Sequence, residues 1–436
     1  MGLNFERRET NVPGALRVKL LVFAHTPPPH HGQSYMVQLL LEALGGDRRG
    51  PRRAVSEAKG PTDPEIECYH VNARLSDRIA TVGHFQCRKV LLALHYCLAA
   101  IWCRLRFGVR HFYYIPAPPG LRAALYRDFL VMALCRPFFR QIIYHWEAAG
   151  LGDWLEAHAR PWERWLGRRL LARPALSIVL AQFNRRDGEQ LNSRRIAVVP
   201  NGIPDPCPRF EEEIQPRRYA RAEARRRLLE SLPAAASVAS EFAPSSSVCQ
   251  VLYLGLCYRQ KGLFDAIEAV AIVNRTLRGT GLRFKLIVAG TFWMESERVE
   301  FEQRVRHPDL TEGGPMVEYR GFVAGENKAR LLRESDCLCF PTYYPAESFG
   351  LVLVEAMAFG LPVVTTTWRM IPELLPPGYP GLVPPQSPAR IADALLAVFR
   401  QPYDPSLRAH FSAHFTDRIF ADQMKAALSR TGGFPA

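Results

Sequence analysis

FPTYYPAESFGLVLVEAMAFGLPVV, residues 340–364, decides how this chain folds. The apolar run just before and into it, CLCF (337–340), reads as a strand that ends in a loop rich in Pro and Tyr. Glu347 closes the loop, Ser348 is placed to cap a helix, and Gly350 leaves the first turn's backbone open to a ligand. The helix carries Glu355 and stops at Gly360, with Pro362 just beyond. A helix that starts after a parallel strand lies at the carboxyl edge of the sheet, where open α/β sheets bind ligands. Its free N–H groups and dipole favour a phosphate. Glu347 and Glu355 are eight residues apart, which is about 12 Å along a helix axis. That span suits a carboxylate at each end of a sugar–diphosphate–ribose, each accepting hydrogen bonds from sugar hydroxyls.

A second segment, YLGLCYRQKG (253–262), repeats the logic. Gly255 ends a strand, and Lys261 with Gly262 opens the next helix, where the lysine can neutralise the same diphosphate. The chain contains no Asp-x-Asp, the usual paired-carboxylate handle for a metal–diphosphate. Charge on a leaving diphosphate would then be met by Lys261, Arg259 and the helix start, which points to a metal-independent site.

Strand and helix signals alternate on both sides of these segments. Runs at 17–24, 112–115, 141–144, 177–181 and 196–199 read as strands, with a Pro-, His- and Gly-rich loop at 26–32 and a helix at 34–44 after the first. The pattern restarts with strands at 251–254, 284–289, 317–319, 337–340 and 362–365, and with helices at 263–276, 328–334 and 349–359. Such alternation implies parallel sheets covered on both faces. The reading is therefore α/β with two doubly wound, Rossmann-like domains in series, residues 1–200 and 251–398, followed by helices in 399–436. Residues 201–250 read as a linker or insertion, partly disordered, whose arginine run is a solvated helix face.

Composition narrows the class. Of 436 residues, 48% are hydrophobic, too many for a disordered chain. The net charge of +14 is lopsided: residues 1–200 hold 29 basic and 16 acidic side chains, and residues 201–436 hold 27 and 26. A uniformly basic protein would bind polyanions in general. A basic half points instead to one domain facing an anionic surface or ligand. None of the ten cysteines forms a CxxC, and Cys337 and Cys339 alternate within a core strand. His25, His30 and His31 lack metal-site spacing. No apolar stretch follows Arg7 and Arg8 as a secretory signal would require. A cytoplasmic chain is expected, peripheral at the inner membrane face. The longest apolar run, 90–102 (VLLALHYCLAAIW), is shorter than the ~20 residues of a span. It reads either as a buried core helix or, with Arg88, Lys89, Arg104 and Arg106 at its ends, as an interfacial helix.

ESFGLVLVEAMAFGLPVV resembles the E-x7-E signature of the group 1 retaining glycosyltransferases (glycosyltransferase family four), enzymes of the GT-B fold. The resemblance extends, in order, through VVPNGI (198–203), YLGLCYRQKG, FKLIVAG (284–290), YRGFV (319–323), PE (372–373) and GLVPPQSP (381–388). It covers 196–399 well and 17–150 loosely. The resemblance, carried by the motifs of the second domain, implies that the two domains face a central cleft, with 1–200 on the acceptor side and 251–398 binding the ligand, and that 399–436 pack back on the first domain. It also implies that Glu347 contacts donor-sugar hydroxyls near the reaction centre and that Glu355 holds the ribose. Backbone N–H groups of Phe349, Gly350 and Leu351, together with Lys261, would bind the diphosphate, and Phe322 and Val323 would lie beside the base. Gly32 would approach the donor phosphate, in a loop where the family often has two glycines and this chain has His31 and Gly32. His145 matches a family histidine near the transferred sugar. The family usually places Arg directly after the glycine equivalent to Gly255; here Leu256 stands there, and Arg259 is the candidate replacement.

The activity implied is transfer of a sugar from a nucleotide-diphosphate sugar to an acceptor hydroxyl on a polysaccharide or lipid-linked glycan, with no cofactor. The bland readings are a helix-start lysine for Lys261 and a hydrogen-bonded core histidine for His145. Glu355 resists one, because an unpaired carboxylate on an apolar helix is costly to bury. An epimerase or phosphorylase would share the two-domain arrangement. A non-enzymatic basic binding protein would need a nucleic-acid motif, and the sequence holds no RRM, KH or zinc-finger signature.

Overall fold

The computed structural model describes residues 18–28, 32–50, 66–74, 87–230, 247–278, 280 and 282–430. They form two six-stranded sheets, parallel throughout. The first holds β1 (Val18–Phe23), β2 (Ile66–Val71), β3 (His111–Tyr114), β4 (Gln141–His145), β5 (Leu176–Val179) and β6 (Ile196–Val198), in the order β2-β1-β3-β4-β5-β6. The second holds β7 (Val248–Leu254), β8 (Arg283–Ala289), β9 (Val317–Gly321), β10 (Cys337–Phe340), β11 (Val363–Thr366) and β12 (Leu382–Val383), in the order β12-β11-β10-β7-β8-β9. In each sheet the strand order reverses beside its first strand, which opens a crevice at the carboxyl edge. This is the GT-B architecture of two Rossmann-like domains.

The central strands are continuous apolar runs because both faces are covered. β3, β5, β10 and β11 are buried at every position, Cys337 and Cys339 included. Two strands escape the sequence reading. β2 (IECYHV) mixes Glu67 and His70 into an edge strand, so its hydrophobic signal is weak, and β12 is two residues long.

The linker expectation is corrected in its first half. Residues 210–230 form a π-turn (Phe210–Ile214) running into the Gln215–Glu230 helix, which packs on the second domain. Its arginine run is a solvated face only in part: Arg217 and Arg227 are exposed, and Arg226 and Arg227 pair with Glu223, but Arg218, Arg221 and Arg225 turn inward. Arg218 is buried and donates to the carbonyls of Phe359 (3.2 Å), Leu332 (2.6 Å) and Ser335 (2.5 Å). Arg221 pairs with Asp336 at 2.8 Å, and buried Arg225 lies 3.5 Å from the other oxygen of that carboxylate. A helical period places 218, 221/222 and 225 on one side, and that side faces inward. The second half of the linker, 231–246, lies outside the described residues, as do His30 and His31.

The chain crosses between domains twice. After β6 it passes through Asn201 and Ile203, and it returns at Thr416, where Ile203 and Thr416 form a parallel bridge. The two crossings press together: a Cβ on Gly202 would meet the Thr416 carbonyl oxygen at 2.3 Å. The Asp417–Ser429 helix then places Phe420, Met424 and Leu428 in the first domain's core with Val18, Leu20 and Met36.

Candidate functional site

The carboxyl edges of the two sheets face each other, and the sequence-selected residues of the second domain gather there. β10 ends at Phe340, and the loop after it carries Glu347 back over the strand. The Glu347 carboxylate accepts from Lys261 Nζ at 2.7 Å and from Thr342 Oγ1 at 3.0 Å, all three groups being mostly buried. Lys261 also lies over the Tyr344 ring, 4.7 Å from its centroid. Two residues read separately in the sequence, a sugar-facing acid and a phosphate-facing lysine, are thus hydrogen-bonded partners. Each fixes the other's direction.

The helix starts later than the sequence suggested, at Leu351, and Gly350 caps it with φ of 75°. A side chain at Gly350 would sit in the left-handed region and 3.2 Å from Ile371. The N–H of Leu353 donates to the Gly350 carbonyl at 2.8 Å. The N–H groups of Phe349, Gly350 and Leu351 lie ahead of that bond, at the helix's open end. Ser348 does not cap: its Oγ donates to the Glu147 carbonyl of the first domain at 2.6 Å. One turn further along the helix, Glu355 accepts from Lys328 Nζ at 2.6 Å, with both side chains partly exposed.

The remaining donor-side residues divide. Val323 packs against the second domain's core, and exposed Phe322 stands beside it. An open recess of about 440 Å³ lies against both and is bordered by Arg320, Asn327 and Arg330. Arg259 is turned toward the Glu295–Arg304 helix, ion-paired with Glu300 and stacked on Phe264. Its side chain is not joined to the Lys261–Glu347 pair. A larger cavity of about 530 Å³ lies behind the second sheet among Arg218, Tyr379 and Tyr403, away from the carboxyl edge. The chemistry of the edge, not cavity size, selects the site. Among the described residues no three His, Cys, Asp or Glu side chains converge as metal ligands.

From the first domain, Gly32 opens the Gly32–Ala43 helix with empty space where a Cβ would stand. Tyr35 of the same helix packs on the second domain's core, and the Glu355 charge helps burial to hold its phenol above the usual range. His145 ends β4, wholly buried, with Nδ1 2.5 Å from the Tyr113 hydroxyl. Burial keeps that phenol protonated and pulls His145 down to about 3, so the imidazole is neutral. With the phenol as donor to Nδ1, the ring hydrogen is on Nε2; with Nδ1 as donor, Nε2 is an acceptor. That nitrogen has no hydrogen-bond partner and lies 3.7 Å from Glu147 Oε1, which also lacks one. Burial pushes the Glu147 carboxyl up to about 7, opposed by Asn201, whose amide donates at 3.4 Å. Buried polar groups are almost always satisfied. Neighbouring orphans on His145, Glu147 and Asn201 mark a place built for polar contact with a bound molecule or water.

Glu147, Asn184, Thr342 and Lys328 were not singled out in the sequence, and Asn201 and Glu373 entered its reading only inside the VVPNGI and PE motifs, with no role given to either. Asn184 donates to the Ser348 carbonyl at 3.0 Å, and Glu373 accepts from the backbone N–H groups of Gln182 and Phe183 at 2.7 and 2.8 Å. With the Ser348–Glu147 bond, these cross-domain contacts tie the two domains together beside the site. The one available signal was chemical: Glu147 in the apolar run YHWEAAG, and Asn201 in PNG.

Residues 244–414 match the family model described as glycosyl transferases group 1. Over 94 residues the chain is 42% identical to the phosphatidyl-myo-inositol mannosyltransferase of Mycobacterium leprae, covering 21% of this chain and 25% of that protein. It is 29% identical over 156 residues to the putative colanic acid biosynthesis glycosyltransferase WcaL of Escherichia coli, covering 35% and 36%. The chain spans between 25% and 44% of the length of curated relatives such as these. Its fold resembles that of Anabaena HepE in complex with UDP-glucose, with a TM-score of 0.58, 16% identity, and coverage of 94% of this chain and 99% of that one.

Proposed function

We propose, from a second domain that matches the group 1 glycosyl transferases, that the protein transfers a sugar from a nucleotide-diphosphate sugar to an acceptor hydroxyl. The observation that carries this reading is the flanking of one helix start by two Lys–Glu pairs, Lys261–Glu347 and Lys328–Glu355. The nucleotide's ribose hydroxyls donate to Glu355, the diphosphate meets the N–H groups of residues 349–351 and Lys261, and the sugar reaches Glu347 and His145. HepE, of the same fold, is named as binding UDP-glucose, which supports a nucleotide sugar as donor.

The anomeric carbon–oxygen bond breaks with the electron pair leaving on the diphosphate. Lys261 and the helix start stabilise that growing charge more than they stabilise the bound donor, which is what lowers the barrier. The acceptor oxygen attacks from the face the diphosphate leaves, its proton passes to a phosphate oxygen, and the anomeric configuration is retained. These groups supply the counter-charge without a metal ion. Neutral His145 bonds a sugar hydroxyl through Nε2, and with its basicity lowered by burial it does not take the acceptor proton. Polysaccharide or lipid-linked acceptors are favoured because the names of the M. leprae and E. coli relatives specify such products or acceptors.

The test is a thermal-shift panel of nucleotide diphosphates and their sugars, followed by transfer with the best donor and proton NMR of the product's anomeric centre. One nucleotide should raise the melting temperature and its sugar should be transferred with retention. No stabilisation by any nucleotide diphosphate would sink the reading. An inverted product would sink the stereochemical part.

A further inference from the structure

The Cys87–Phe107 helix is packed inside out. Its narrow buried stripe is Ala93, Cys97, Ala100 and Cys103, all small residues. Its outer side carries Leu91, Leu98, Trp102 and Leu105, which are 67%, 67%, 53% and 71% exposed. Steps of seven, four and three residues keep these four on one line, about 21 Å long. Scattered exposed leucines are ordinary; an aligned row ending in a tryptophan is not.

The row belongs to a larger face. The Cys87–Phe107, Arg122–Cys135 and Pro161–Leu170 helices cover one side of the first sheet and share one core cluster. The helices 32–43 and 417–429 cover the other side. On the same outer layer Trp162, Trp165 and Phe138 are also exposed. Arg104 ties Phe138 to the helix by donating to its carbonyl at 2.8 Å.

Charge names the occupant. Residues 87–110 carry five Lys or Arg and no Asp or Glu, whereas the next two arginines along the chain, Arg122 and Arg127, are paired with Glu163 and Asp128. A second copy seated on this row through a two-fold axis would set cations against cations. An anionic bilayer offers those cations counter-charge, and its interface suits exposed tryptophans and leucines. By length and composition the helix could cross a membrane, but its small-residue side is fixed against the sheet, so it lies along the surface.

We propose that this face docks on an anionic lipid bilayer, with Leu91, Leu98, Trp102 and Leu105 dipped into the interface and Lys89, Arg104, Arg106 and Arg110 on the headgroups. The helix follows the carboxyl end of β2 and leads to the amino end of β3. Its first turn therefore stands on the cleft side of the domain and its last turn on the far side. Docked this way, the cleft opens along the bilayer, within reach of an acceptor whose lipid stays in the membrane. That consequence rests on the transferase reading; the docking does not.

Sedimentation of the full chain with vesicles of phosphatidylcholine, with and without phosphatidylglycerol, tests it. Binding should require phosphatidylglycerol and weaken with salt. The exposed double substitution Leu98→Glu with Trp102→Glu should keep the circular dichroism and the nucleotide-induced thermal shift while vesicle affinity falls about tenfold or more. Equal sedimentation of wild type and variant, equal binding to both vesicle types, or no binding to either would overturn the proposal. So would sedimentation velocity showing a wild-type dimer that the variant abolishes, since a second copy would then cover the face. Loss of the nucleotide shift with vesicle binding intact would count against the donor reading alone.

Discussion

Replacing Glu355 with Gln separates a ligand-binding carboxylate from a structural one. In the free protein Glu355 pairs with Lys328 at 2.6 Å, and the side chains are 16% and 32% exposed. An ion pair this wet contributes about 1 kcal/mol or less, and Gln keeps the volume. The unfolding free energy should therefore fall by no more than about 1 kcal/mol. Binding is different. Two ribose hydroxyls donating to one carboxylate are charge-assisted bonds worth about 1.5–3 kcal/mol each. Gln offers one oxygen and no charge, so about 2–4 kcal/mol is lost, or about 30-fold to several hundredfold in Kd. Titration calorimetry with the stabilising nucleoside diphosphate, beside urea unfolding of both proteins, reads both quantities. The 2′-deoxynucleotide supplies an internal control: wild type should bind it more weakly than the ribonucleotide, and the variant should hardly distinguish the two. A Kd within about threefold of wild type would refute the ribose assignment. A stability loss above about 3 kcal/mol would show that the carboxylate is structural.

Two further outcomes follow from the buried groups. In the folded protein burial sets Glu147 up at about 7 and His145 down at about 3, from ordinary values of 4.5 and 6.5. Between about pH 4.5 and 6.5 the folded pair is acid plus neutral imidazole and the unfolded pair is carboxylate plus imidazolium. Each holds one proton, so the pair adds no slope there. Above that window stability falls as Glu147 ionises through about 7, and below it stability falls as the unfolded state gains the extra proton. Glu147→Gln removes one partner, so variant stability relative to wild type should climb with pH across the window in urea titrations; parallel curves would refute the coupling. Arg218→Ala leaves three buried carbonyls without their donor and should cost about 3–5 kcal/mol by urea unfolding. Near-normal stability would mean that water or neighbouring side chains replace the guanidinium.

Much of this protein is determined locally and can be read along the chain. The β10 strand, its loop, the glycine at 350 and the helix carrying Glu355 follow from apolar runs and turn residues a few positions apart, so two doubly wound domains and the Lys261, Glu347 and Glu355 candidates were legible. Boundaries were less so: 215–230 looked like a solvated arginine helix because burial of Arg218 depends on carbonyls more than a hundred residues away. The same limit hid the seam between domains. Ser348 reads as a cap by proximity, yet it bonds Glu147, 201 residues distant in sequence. Likewise 90–102 read first as a core helix, with an interfacial helix as the alternative, because hydropathy counts apolar residues without saying which side the sheet covers. Periodicity determines what a segment becomes, whereas pairing between distant groups, and which face remains in contact with solvent, exist only once the two sheets are assembled.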